Sequence, residues 1–202
     1  MKKLPSTLPN MLIVLTLISV IAAGALAYVN KITAGPIEEN KARTLAEGIN
    51  SVLGVTDAQV QETKTVQDAN GNDVIIYATD KGVAVQAIDP NGFGGKLSVL
   101  VGFDDEGAIK GYTVLEHAET PGLGAKASLW FQKGEKGDII GKNPGQKELT
   151  VSKDGGDVDA ITASTITSRA FLRAVNVAFH AYAGASASDG QTGASQQQQP
   201  KN

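Results

Sequence analysis

Between Met11 and Val29 the chain reads MLIVLTLISVIAAGALAYV, nineteen residues without a charged side chain. At about 1.5 Å per residue, a helix over this run reaches roughly the thickness of a bilayer's hydrocarbon core. A transmembrane helix is therefore the first expectation. The alternative is a cleaved signal peptide, for which Ala25-Leu26-Ala27 offers small residues at a cleavage site, although the apolar run is long for a signal core. Lys2, Lys3 and the terminal amine on one side face Lys31, Lys41 and Arg43 on the other, so counting charges does not set the orientation.

What remains after the two ends are set aside, about 150 residues, is enough for one ordinary core, and one folded domain is expected. The chain of 202 residues has no Cys and only His117 and His180 as histidines. Thiolate-held iron–sulfur clusters and disulfides are excluded, and Cys/His zinc sites are starved of ligands. Redox chemistry in such a chain needs an organic cofactor, and no metal site is expected. The net charge of -3, with Lys and Arg scattered along the sequence, gives no basic patch for nucleic acid.

From Ile37 to Leu53 the residues Leu45, Ile49 and Leu53, with Ala42 and Ala46 beside them, recur at helical spacing, and Gly54 supplies a stop. An amphipathic helix leaving the membrane is predicted there. Four strand-like runs follow, Val74 to Thr79, Val83 to Ile88, Lys96 to Phe103 and Ala108 to His117. Turn residues divide them, and such short connections favour an antiparallel meander, because parallel crossovers need a dozen or more residues. A last helix is predicted over Phe171 to Tyr182, with Phe171, Val175, Phe179 and Tyr182 on one face. The fold class is thus α+β: an antiparallel meander sheet packed with helices, preceded by one N-terminal transmembrane helix. The expected division is 1–30 for the tail and anchor, 31–183 for the folded domain and 184–202 for a low-complexity tail too poor in apolar residues to fold.

Several motifs fail in context. Gly122-x-Gly124-x-x-Ala127 matches the letters of a dinucleotide fingerprint, but Pro121 precedes it and no βαβ unit surrounds it. GGKLS at 94–98 leads into a strand and is not a phosphate loop. Asp68-x-Asn70-x-Asn72 starts like a calcium loop, but Asp73 stands where glycine is required, which favours a hairpin tip. Asp104-Asp105-Glu106 reads as a solvated turn, and His117 as a strand-end polar residue.

Two stretches remain. In HAETPGLGAK, 117–126, a proline and two glycines after a strand force a tight exposed turn, whose role is either structural or to bring backbone amides close to a ligand. In DVDAITASTITSRA, 157–170, Thr162, Ser164, Thr165, Thr167 and Ser168 precede or open the last helix. Thr167 or Ser168 can cap that helix. Thr162, Ser164 and Thr165 then lie before the cap among small neighbours such as Ala163, where an anion can approach the helix's positive end.

The pair ETPGLG (119–124) and DAITASTIT (159–167) resembles the FMN-binding domain shared by the G subunit of the Rnf complex and the C subunit of the sodium-translocating NADH:quinone reductase. The resemblance extends over GFGGKLSVLVGFDDEGAIKGYTVLEH (92–117) and Trp130. In that family a threonine ending a Ser/Thr-Gly-Ala-Thr motif carries FMN through a phosphoester, with an acidic residue six positions earlier. The resemblance implies Thr165 as the attachment site and Asp159 as recognition residue for a separate flavin transferase, which takes FAD and releases AMP. Thr162, Ala163, Ser164 and Thr167 complete the motif, with Ala163 in place of the usual glycine and Ser164 in place of alanine. It further implies that Glu119, Thr120, Gly122, Leu123 and Lys126 lie around the flavin.

The function so implied is an electron-carrier subunit of an Rnf-type, ion-translocating ferredoxin:NAD oxidoreductase, without turnover alone. Its cofactor is covalent phosphothreonyl FMN, and its partners are the other subunits, the flavin transferase and membrane lipid. The resemblance places it in the cell inner membrane with the domain on the extracytoplasmic side. The C subunit of the sodium-translocating quinone reductase is the near alternative, and the compact length leans toward Rnf. A membrane-tethered, non-redox flavin- or partner-binding module and a self-sufficient secreted flavoenzyme are the others. Since the anchor run contains no ionisable residue, ion selectivity is expected in partner subunits.

Overall fold

The structure is a computed structural model and describes residues 7–192; the first six residues and the last ten of the expected tail lie outside the described residues. Its contacts divide the chain into two units, Met1–Thr44 and Leu45–Asn202. Helix α1 (Leu8–Leu53) makes up the described part of the first unit and continues into the second; over residues 11–29 it carries no charge and is exposed throughout, Met11, Leu12, Ile13 and Leu15 included. It is long and apolar enough to cross a membrane. The helix expected from Ile37 to Leu53 is the C-terminal part of α1, which runs on through Pro36. Proline there removes one backbone N–H but does not end the helix.

The second unit is built on a sheet of five antiparallel strands in the order β1 (Val60–Gln67), β2 (Asp73–Thr79), β3 (Gly82–Gly92), β4 (Gly95–Phe103), β5 (Ile109–His117). The expected meander is present, with one strand more than the sequence predicts. β1 reads VQETKTVQ and is exposed at every position except Val66. Its backbone pairing to β2 makes it a strand without any apolar alternation, and its charges suit an edge. Asp68 closes the β1–β2 hairpin by accepting from the Asn70 and Asn72 amides, and Asp104 closes the β4–β5 hairpin by accepting from those of Glu106 and Ala108. Both acidic stretches are therefore turns.

β4 is buried at seven consecutive positions, which explains its unbroken apolar run. On one face Leu97, Val99, Val101 and Phe103 meet α3 (Thr165–Thr192) through Phe171, Val175 and Ala178. On the other face Leu100, Ala84 and Tyr77 pack with Ile49, Val52 and Leu53 at the end of α1. Gly102 and Gly111 are paired across β4 and β5, and a Cβ on either would strike the Val52 backbone. Ala42 and Ala46 are exposed, whereas Gly48 and Val52 complete the buried stripe with Ile49 and Leu53. Gly54 ends the helix at φ 69°.

α3 begins at Thr165, not Phe171, and continues to Thr192, so 184–192 of the expected tail are helical. Between β5 and α3 the chain has little regular structure beyond α2 (Ala127–Trp130) and short 3-10 turns at Gly124–Lys126 and Ser152–Asp154. It is held by buried Phe131, Ile139, Leu149, Val151, Val158 and Ile161. Polar clamps reinforce it. Asn176 on α3 accepts from the Leu149 amide at 3.1 Å and donates to its carbonyl at 2.9 Å. The Tyr112 hydroxyl donates to the Ala127 carbonyl at 2.8 Å and accepts from the Phe131 amide at 3.1 Å.

Candidate functional site

Three loops converge on one pocket of about 300 Å³: the β3–β4 hairpin tip with Phe93, the turn after β5 with Glu119, Thr120, Leu123 and Gly124, and the entry to α3 with Ala163, Ser164, Thr165 and Ile166. Glu119 joins all three. It is buried, and its Oε2 accepts from the Thr167 hydroxyl at 2.7 Å while its Oε1 accepts from the Gly94 amide at 3.2 Å. The Glu119 amide donates to His117 Nδ1 at 3.2 Å, so the strand-end histidine orients the turn that follows. Glycine is needed around this carboxylate because a Cβ on Gly92 would lie 2.6 Å from Oε1 and one on Gly124 would strike Oε2.

Thr165 is the first residue of α3 and is half-buried. Its Oγ1 accepts from Lys153 Nζ at 3.1 Å. Before it, Ile161 to Ser164 form a turn closed by the Ser164 amide on the Ile161 carbonyl at 3.0 Å, with Ala163 at φ 62°. Ala163 is the one non-glycine residue at positive φ among the described residues, at the position where the resembled family carries glycine. The two expected caps, Thr167 and Ser168, lie inside the first turn of α3. Thr167 is turned inward to Glu119, while the Ser168 hydroxyl donates to the Ser164 carbonyl at 3.0 Å and accepts from the Ile161 amide at 2.9 Å. Ser164 stands immediately before the helix, so sequence spacing put the cap too far along.

Of the sequence-predicted residues, Glu119, Thr120, Leu123, Ala163, Ser164 and Thr165 line the pocket and Thr167 supports it from behind. Thr162, Gly122 and Lys126 are exposed and do not line it; Gly122 serves its turn with φ 75°. Asp159 is also exposed outside the lining, with its carboxylate accepting from the Ser152 hydroxyl at 3.2 Å and its carbonyl from the Trp130 indole at 2.8 Å. Beside Ser152, the Arg169 guanidinium grips Asp154 through two bonds of 2.7 Å and holds that carboxyl below its ordinary range.

Sequence reasoning missed Phe93, Ile166 and Lys153. Phe93 carried a signal, an aromatic inside the glycine-rich tip NGFGG; Lys153 carried none, since its contact spans a loop. Phe93, Leu123 and Ile166 are 67%, 41% and 50% exposed, so large apolar side chains stand open around the same pocket. Apolar walls, a buried carboxylate at the base and a hydroxyl with an ammonium at one edge suit a ligand that is flat and aromatic at one end and anionic at the other. FMN has that form, and these residues fit it.

Residues 92–180 match the FMN-binding domain family, a span that takes in all three loops. The chain thus contains an FMN-binding domain. Over a longer span it is similar to the G subunit of the ion-translocating oxidoreductase complex of Shewanella baltica, 33% identical over 177 residues that cover 80% of this chain and 82% of that protein. It is also 33% identical over 189 residues to the G subunit of the Na(+)-translocating ferredoxin:NAD(+) oxidoreductase complex of Acetobacterium woodii, covering 84% of this chain and 89% of the relative. Against the G subunit of the Aliivibrio fischeri complex the identity is 40% over 104 residues, about half of each chain. The chain belongs to the family of G subunits of ion-translocating oxidoreductase complexes.

Proposed function

We propose that the chain is the electron-carrier subunit of a membrane-bound, ion-translocating ferredoxin:NAD oxidoreductase of the Rnf type, and that it holds FMN through a phosphoester to Thr165. The observation that carries this reading is the Thr165 hydroxyl, half-buried at the start of α3 on an apolar-walled pocket and 3.1 Å from an ammonium. Membership of the G-subunit family and the FMN-binding domain over 92–180 support it.

Thr165 supplies the attachment oxygen. A flavin transferase breaks the bond from the FMN phosphorus to the AMP phosphate oxygen in FAD and forms the Thr165 Oγ–P bond; AMP leaves with the bridging oxygen and the hydroxyl proton passes to base. Asp159, exposed six residues earlier, is in reach of that transferase. When bound, FMN supplies the electron-transfer chemistry. Glu119 and Thr167 hold the turn after β5 against α3. Phe93, Leu123 and Ile166, open to solvent here, would cover one side of a bound flavin. In this reading α1 anchors the protein in the inner membrane and the domain lies on the extracytoplasmic side.

The test is the intact mass and peptide map of the chain coexpressed with its transferase. The expected result is one FMN phosphoryl addition on the Thr165 peptide and none on a Thr165→Val chain, where the hydroxyl is lost and the volume kept. Flavin retained at full occupancy in the valine variant moves the site to Thr162 or Ser164. An unmodified wild-type chain beside a demonstrably active transferase overturns the attachment and favours a non-covalent binding module.

A further inference from the structure

Lys153 sits on the 3-10 turn Ser152–Asp154, exposed to solvent, where a lysine side chain ordinarily has many rotamers open to it. Here its Nζ donates to Thr165 Oγ1 at 3.1 Å, and the backbone around it is tied on both sides. The Ser152 hydroxyl donates to Asp159, and Asp154 is gripped twice by Arg169 in the first turns of α3. A parallel bridge between Val151 and Val158 and the Ser152 amide on the Val158 carbonyl at 2.8 Å close the loop. Among the described residues Lys153 has no carboxylate within ion-pair distance, although its charge adds to that of Arg169 in holding the Asp154 carboxyl below its ordinary range.

A phosphodiester on Thr165 would carry one negative charge at neutral pH, and an ammonium serves such a group as a point charge. We infer that Lys153 is the phosphate-binding residue of this site: it stabilises the phosphoryl group as it is transferred to Thr165 and remains the counter-charge of the finished phosphodiester. The inference rests on the attachment reading above. It also gives Asp159 a second task, since through Ser152 it holds the loop that presents Lys153.

The experiment compares wild type, Lys153→Met and Lys153→Arg, each as the full-length chain in detergent with FAD and limiting transferase. It measures the initial rate of FMN incorporation by intact mass, the thermal midpoint of each unloaded chain, and the phosphorus-31 resonance of each chain once loaded. Lys153→Met is expected to load about tenfold more slowly or worse at an unchanged thermal midpoint, because charge developing on the phosphoryl oxygens loses its cation. Lys153→Arg should load within about threefold of wild type, since it keeps the charge. The resonance of loaded Lys153→Met should be displaced from that of wild type. Loading of the methionine variant at the wild-type rate, or a resonance that coincides with wild type, overturns the inference, as does an arginine variant no faster than methionine. A wild-type chain that acquires no flavin on Thr165 overturns the attachment itself, and this inference with it.

Discussion

Glu119 shows how much one buried side chain decides here. Its Oε2 accepts from the Thr167 hydroxyl, a fully buried donor with no water to turn to, and its Oε1 accepts from the amide of exposed Gly94. Glu119→Ala should therefore lower unfolding stability by about 1–3 kcal/mol, chiefly from the unmet Thr167 hydroxyl and a small cavity. Glu119→Gln should lose less than about 1 kcal/mol, because a threonine hydroxyl can rotate to accept from the new amide while the amide oxygen still takes the Gly94 N–H. Denaturant melts of the two variants check this, and equal losses would show that charge, not donor matching, holds the turn. Ala163 is the opposite case, a side chain where the backbone asks for none. At φ 62° it carries strain of about 1 kcal/mol. Ala163→Gly should stabilise the folded domain by up to about 1 kcal/mol, less the greater freedom of glycine in the unfolded chain, readable as a small rise in thermal midpoint.

At the scale of elements, the irregular stretch between β5 and α3 depends on side chains that reach back to regular structure. Tyr112 on β5 is the clearest, donating to Ala127 and accepting from Phe131 at the two ends of α2. Tyr112→Phe should cost about 1–3 kcal/mol by leaving a buried amide and carbonyl unmet. Burial pushes the Tyr112 phenol well above its usual value near 10, while an unfolded chain's tyrosine ionises there. The stability this contributes is fully present below about pH 10 and is lost as pH rises further, since the unfolded state releases its proton first. Denaturant midpoints from about pH 8 to 11.5 should fall steeply above 10 in wild type and less steeply in Tyr112→Phe. The same scale explains what the sequence hid: β1 is held mainly by backbone pairing, with Val66 its one half-buried side chain, and α3 starts six residues before Phe171, because Thr167 and Ser168 find partners inside the fold.

For the whole molecule, the division at Thr44 and Leu45 carries a prediction of its own. A chain of residues 45–202 should be soluble without detergent and unfold cooperatively. A chain of 54–202 should not, because it loses Ile49, Val52 and Leu53 and uncovers Tyr77, Ala84 and Leu100, a change of roughly 5 kcal/mol at about 1.5–3 kcal/mol per buried side chain. Dye binding and circular dichroism on the pair distinguish the cases, and equal stability would mean that the end of α1 is dispensable to the core. The apolar run, four of the five strands and their antiparallel meander were legible from residue order, because periodicity and turn chemistry act between near neighbours, whereas two of the three pocket loops were singled out by their likeness to a family motif. The placement of Phe93 on the pocket, the turning of Thr167 toward Glu119 across 48 residues and the approach of Lys153 to Thr165 were settled only by tertiary structure. Such contacts depend on how α3 and its loops dock on the sheet, and no local pattern of side chains encodes where two distant loops will meet.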